Sequence, residues 1–277
     1  MSTPPYPNDS LRWVAADVRV PPSAVLAGEL PDALREALPE LPVASSVPGI
    51  SFNVSVGGAP PAGLGPQVIL HRLTTRERLL GLTLGRDGIT LETTSYGGWT
   101  AFREVLDTVL ASVEQCCRPD GVLRIGLRYV HELRLPQPPR TVGGWEGWVN
   151  PRLLAPFGLD PADEPSQGQV VLQYGLPPGY VTVMRAGPLP RGRVVQSDGQ
   201  HLRQPSETPD DAFFFLDTDA SWADPDGGVP EFSAPEIVRV FGELHEPCRR
   251  LVEEAIEDRF RNEILLQPGN DGVEATE

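Results

Sequence analysis

The clearest alternation of apolar and polar positions runs from Ile89 to Leu135. Ile89, Leu91 and Thr93 alternate with Thr90, Glu92 and Thr94, the period of two expected of a half-buried strand. Tyr96-Gly97-Gly98-Trp99 interrupts that period. Beyond it, Phe102, Val105, Leu106, Val109, Leu110 and Val113 recur at three and four, which predicts an amphipathic helix over 100–117 capped by Thr100. Arg118-Pro119-Asp120-Gly121 ends the helix, since proline cannot continue it and Asp-Gly supplies a turn. The chain then returns as a strand from Val122 to Leu135. Leu123, Ile125, Leu127, Tyr129, His131 and Leu133 share one face of it, and Arg124, Arg128, Glu132 and Arg134 the other.

The flanking sequence extends the plan in both directions. Leu11–Val20 alternates as a first strand, with Val14, Ala16, Val18 and Val20 on one side. Two short helices broken at Pro31 occupy 23–41. Strand patterns follow at 50–56, 67–73 and 79–84, with Arg86-Asp87-Gly88 turning the last of them into the Ile89 strand. Residues 136–168 are dense in proline and glycine and keep no period, as a connector does. Strands over 169–174 and 180–185 come next. Ser233-x-x-Glu236 then has the form of a capping box opening a long helix to about Leu265, kinked or divided at Pro247.

Successive strands without intervening helices predict an α+β fold of antiparallel sheets, packed with the mid-chain helix and the long C-terminal helix. The pattern allows two similar strand-then-helix lobes, 1–135 and 169–266, joined by the 136–168 connector and followed by a disordered acidic tail over 267–277.

Composition narrows the chemistry. The 277 residues carry a net charge of −15, from 38 acidic residues against 23 basic ones, and every basic residue is arginine. Such a chain is repelled at long range by nucleic acid and by anionic membranes. The N-terminus has neither a basic nor an apolar leader-like run, so a cytoplasmic protein is expected, without a membrane span. Cys116, Cys117 and Cys248 form no C-x-x-C pair and read as small buried hydrophobes.

Four places could carry function. Arg124 and Arg128 share one strand face with Gly126 between them. They form either a solvated face with cross-strand Arg/Glu pairs or a grip for a small carboxylate or phosphate. His131 borders that strand and is either a proton-exchanging group or a hydrogen-bonded core histidine. Trp145 and Trp148, in the connector, either plug the protein's own core or anchor a partner. The segment from Glu207 to Glu231 holds eight acidic residues and no basic one. Within it, Asp217 and Asp219 form a D-x-D pair that invites a divalent cation, but Trp222 stands where a calcium loop needs glycine and Gly228 where it needs glutamate. Asp224 and Asp226 read as a solvated turn that could attract a basic partner. His245-Glu246 lacks the second histidine of a zinc-protease motif, because position 249 is arginine. Nucleophile elbow, phosphate loop and dinucleotide fingerprint are all missing, and no cofactor is implied.

Y-x-x-W-x-x-F at Tyr96, Trp99 and Phe102, with R-I-G-L-R-Y at Arg124–Tyr129, resembles a sporadically distributed family of uncharacterised bacterial proteins of similar length. The similarity extends over most of the chain, including the C-terminal helix with its Leu244-His245 pair. It departs where that family's central strand reads R-Y, a hydrophobic residue and asparagine, for here Val130-His131 follow Tyr129. The resemblance implies fold boundaries and no particular activity. Together these features predict a soluble, non-catalytic binding or regulatory protein acting through a protein partner or self-association. A small-molecule or phosphoryl-group enzyme built on the arginine face is the alternative.

Overall fold

The computed structural model describes residues 6–28, 30–48, 69–158, 165, 167–175, 177–195, 202–204 and 209–267. The expected strand over 50–56, the start of the one over 67–73 and nearly all of the 267–277 tail lie outside these residues. Among the described residues, nine strands form one antiparallel sheet: β1 Leu11–Arg19, β2 Val43–Pro48, β3 Ile69–Thr74, β4 Leu80–Gly85, β5 Gly88–Thr93, β6 Arg124–Leu133, β7 Val170–Gly175, β8 Tyr180–Leu189 and β9 Phe213–Trp222. Their spatial order is β2-β3-β4-β5-β1-β6-β9-β8-β7. Short helices α1 (Ala24–Ala27) and α2 (Asp32–Ala37) follow β1. Long helices α3 (Trp99–Cys117) and α5 (Ala234–Ala255) follow β5 and β9, while α4 (Pro151–Leu154) lies in the connector and α6 (Asp258–Phe260) follows α5.

The order contains a repeat. β1, β3-β4-β5 and α3 are matched by β6, β7-β8-β9 and α5, and the two sets run outward in the same sequence from the β1–β6 seam. Because β1 and β6 pair antiparallel, the operation relating them is a rotation of about half a turn around an axis through that seam. This is the strand-then-helix repetition allowed by the sequence, fused into one continuous sheet.

Both long helices pack on the same face. Val14, Ala16, Val18, Ile125, Leu127 and Tyr129 rise from the central strands and meet Phe102, Leu106, Val109, Leu110 and Val113 of α3 and Ile237, Phe241, Leu244 and Cys248 of α5 in one core. The period of two and the period of 3.6 therefore bury the residues they predict.

The connector is folded. A 3₁₀ turn at Val142–Trp145, α4 and a second 3₁₀ turn at Ala155–Gly158 carry Val142, Trp145, Val149, Leu153, Leu154 and Phe157 against Leu133, Phe214 and Leu216. This second apolar cluster fills the far end of the helix-bearing face.

Helix ends differ from their sequence signals. α3 begins at Trp99, and its cap is Gly98 at φ 96°, a left-handed conformation that favours glycine. Ser233 stands at the N-cap of α5 but makes no capping bond; Glu114 of α3 accepts the Ala234 N–H at 3.2 Å instead. Pro247 is accommodated inside α5, which ends at Ala255 rather than near Leu265. There the connector takes over: Asn150 donates its backbone N–H to the Ala255 carbonyl and its side-chain amide to that of Glu254.

Candidate functional site

The arginine face is occupied by the protein's own carboxylates. Arg128 donates two 2.7 Å hydrogen bonds to Asp217, which lies on β9 opposite Val130, two positions further along β6, and Arg185 of β8 reaches the same carboxylate at 3.3 Å. Arg124 lies 3.4 Å from Asp219 and 3.6 Å from Asp17. The bidentate pair is nearly dry, with the side chains 18% and 3% exposed. Burial works against the Arg128 charge, but the hydrogen bonds and field of Asp217 outweigh it and hold the guanidinium protonated. Arg128 also lies over the Trp13 ring, whose indole N–H donates to Glu92, itself paired with Arg72.

These contacts bear on two readings of this face. Of the two readings of the arginines, the cross-strand pairing is the one seen: Arg128 is held by Asp217, and Arg124, more exposed, makes longer contacts with Asp219 and Asp17. Asp217 and Asp219 face the Arg128 and Arg124 guanidiniums, and among the described residues no cluster of His, Cys, Asp or Glu is arranged to hold a metal ion.

The two tryptophans and the acidic turn do not form one edge. Trp145 is 1% exposed, with its ring 5.5 Å from that of Phe214, so it is the core plug and is closed to a partner. Trp148 is half-buried beneath the Arg259 guanidinium. Asp224 and Asp226 form a turn in which the Asp226 N–H donates to the Asp224 side chain, just past Trp222 at the other end of β9. Phe214 and Trp222 are eight positions apart along the strand, roughly 25 Å.

What the fold does assemble is a cavity of about 450 Å³ on the helix-bearing side, between the start of α3, the middle of α5, β6 and residues 6–11. Tyr96 stands just before α3, Trp99 is its first residue, Tyr129 comes from β6 and His245 from α5. The Tyr129 hydroxyl and His245 Nδ1 share a 2.9 Å hydrogen bond, and the Tyr96 hydroxyl lies 3.4 Å from that of Tyr129. Trp99 stacks on the His245 imidazole at 4.5 Å and 8°. Tyr96 meets Tyr129 edge-on at 5.8 Å. His131 lines the same cavity, its Nδ1 hydrogen-bonded to Ser10 at 3.2 Å. Tyr6 lies on the rim and donates to Glu253.

Burial sets the protonation of this cluster. It draws His245 down to about 4, with Glu246 opposing, and it also lowers His131. It raises Tyr129 well above the ordinary phenol range, takes Tyr96 up to about 12 and takes Cys248 up to about 12. At neutral pH this cluster is therefore polar but uncharged: two neutral imidazoles, protonated phenols and an inert thiol.

Of the residues singled out from sequence, only His131 lies here. Tyr96, Tyr129 and His245 went unselected as site residues, although each belongs to a pattern already distinguished: the aromatic signature before α3, the R-I-G-L-R-Y strand and the Leu244-His245 pair. Their convergence is a tertiary fact, for 33 and 116 positions separate the hydrogen-bonded partners. His71 sits apart on β3 against the Gly28 carbonyl, and His201 lies outside the described residues. No family model and no curated protein sequence matches the chain.

Proposed function

We propose that this protein is a non-catalytic binding protein that receives a small molecule in the cavity formed by Tyr96, Trp99, Tyr129, His131 and His245. The observation that carries this reading is the cavity itself: aromatic walls enclose a few convergent, hydrogen-bonding polar groups in a volume suited to a metabolite-sized ligand. The protonation states favour binding over catalysis. A general acid or base works best with a pKa near the working pH, whereas His245, Tyr129, Tyr96 and Cys248 are all displaced away from it.

The test is a metabolite screen read by tryptophan fluorescence and thermal shift on wild type, Tyr129→Phe and His245→Leu. Compounds that bind wild type are expected to lose at least about tenfold in affinity in one variant or both, as removal of a buried polar contact does. Hits indifferent to both variants would place binding elsewhere, and turnover of a hit would replace the binding reading with an enzymatic one.

A second reading, a protein partner added at the sheet edge, is favoured by β7. Its sequence VVLQYG contains no charge or proline, Val171 is 53% exposed, and among the described residues no strand pairs with its outer side. An edge without such guards is a template for strand addition.

A further inference from the structure

We propose that the ligand of this cavity is a small organic cation, an amine or methylated ammonium on a compact body that also carries a hydrogen-bonding group. This rests on the small-molecule reading above. Four aromatic side chains, Tyr6, Tyr96, Trp99 and Tyr129, line the cavity, and aromatic faces attract cations through their quadrupole. Three carboxylates line it as well. Glu246 is matched by Arg249 at 2.7 Å and Glu253 by Arg261 at 3.2 Å.

Asp9 is different. Among the described residues it forms no ion pair, and only its Oδ1 is engaged, accepting the Leu11 N–H at 3.0 Å. Its charge acts on both Tyr96 and His131, so its field reaches two walls of the cavity. Arg12 opposes that field at His131, but it forms no ion pair with Asp9, and a carboxylate without a salt-bridge partner beside aromatic rings favours a cation and disfavours an anion. The imidazoles do not oppose this, because burial keeps both neutral near pH 7.

His131 is an independent sign of a ligand. It is 8% exposed and lines the cavity, its Nδ1 is taken by Ser10, and its Nε2 has no hydrogen-bond partner among the described residues. On a residue that lines the cavity, that ring nitrogen is available to a donor or acceptor on what enters.

Isothermal titration of the purified chain with choline, with its neutral isostere 3,3-dimethylbutan-1-ol and with the anion 3,3-dimethylbutanoate separates the contributions. Choline is expected to bind roughly tenfold or more tightly than the alcohol, and the carboxylate least. Asp9→Asn should lower the choline affinity several-fold towards that of the alcohol, the aromatic contribution remaining, while leaving the alcohol unchanged. Equal binding of choline and alcohol, an unchanged choline affinity in Asp9→Asn, or no binding of choline at all overturns the cation assignment. The screen with Tyr129→Phe and His245→Leu decides separately whether the cavity takes a small molecule, so the two readings fail on different data.

Discussion

Replacing Arg128 with glutamine should destabilise the protein far more than the same change at Arg124, although sequence parity makes the two look equivalent. Arg128→Gln deletes two 2.7 Å bonds to a carboxylate that is 3% exposed. Removing one partner of a buried ion pair costs about 3–5 kcal/mol. Arg185, left at 3.3 Å from Asp217, offsets part of this, so a loss of about 2–3 kcal/mol is expected. Arg124 is 39% exposed and its contacts are longer, 3.4 and 3.6 Å, which puts its loss at about 0–1 kcal/mol. For a chain of 277 residues each kcal/mol moves the melting temperature by roughly 2 °C, giving about 5 °C for Arg128→Gln and under about 2 °C for Arg124→Gln. Urea unfolding followed by circular dichroism resolves the difference, provided the slope with denaturant stays constant. Combining Arg128→Gln with Asp217→Asn should recover about 1–3 kcal/mol relative to the sum of the single changes. Losses at Arg124 and Arg128 within about 0.5 kcal/mol of each other would show a uniformly solvated face and refute the network.

Two further outcomes follow from the protonation of the cavity and the shape of the sheet edge. Burial holds the folded pKa of His245 near 4, below the roughly 6.5 of an unfolded histidine, so falling pH protonates the unfolded chain first. Stability should be full above pH 6.5 and decline towards pH 4, with His131 acting in the same direction; His245→Gln should flatten the decline in urea midpoints, and an unchanged profile would refute the assignment. At the edge, strand addition by a second copy predicts concentration-dependent association in sedimentation, abolished by Val171→Lys; a strictly monomeric wild type at millimolar concentration would exclude self-pairing.

The parts of the fold legible in sequence were those governed by local period. Val14, Ala16 and Val18 reach the core because a strand sends alternate residues to one side, and Phe102, Leu106, Val109 and Val113 because a helix returns every 3.6 residues. The connector was less legible, because its turns are too short to develop a period, yet Trp145, Leu153 and Phe157 in it are core residues. The end of α5 was hidden for a related reason. The apolar stripe continues past Ala255, and the helix stops because Asn150, a hundred positions away, takes the last carbonyls. Charge was the least legible of all: Arg128 looks free in its own strand, and only the β6–β9 register brings Asp217 to it.

The repeat supplies an internal comparison for the cavity. α3 and α5 are related by the rotation about the β1–β6 seam, so the start of α3 and the start of α5 are equivalent places in the fold. Counting from each first helical residue, Trp99 corresponds to Ala234, and His245, eleven positions into α5, corresponds to Leu110 in α3. At the α5 entrance the space is closed by ordinary means: Ala234 and Phe232 are buried with Leu110 in the common core, and Glu114 satisfies the first backbone N–H. Leucine, alanine and phenylalanine are thus sufficient to support a helix entrance on this sheet. At the α3 entrance the same architectural position holds Trp99 stacked on His245, with Tyr129 and Tyr96 in a hydrogen-bonded chain, and a cavity opens beside them. Holding an imidazole neutral and two phenols half or fully buried costs solvation free energy that an apolar filling does not. A polar cluster maintained where the fold itself accepts hydrocarbon is better explained by what enters the cavity than by the stability of the sheet beneath it.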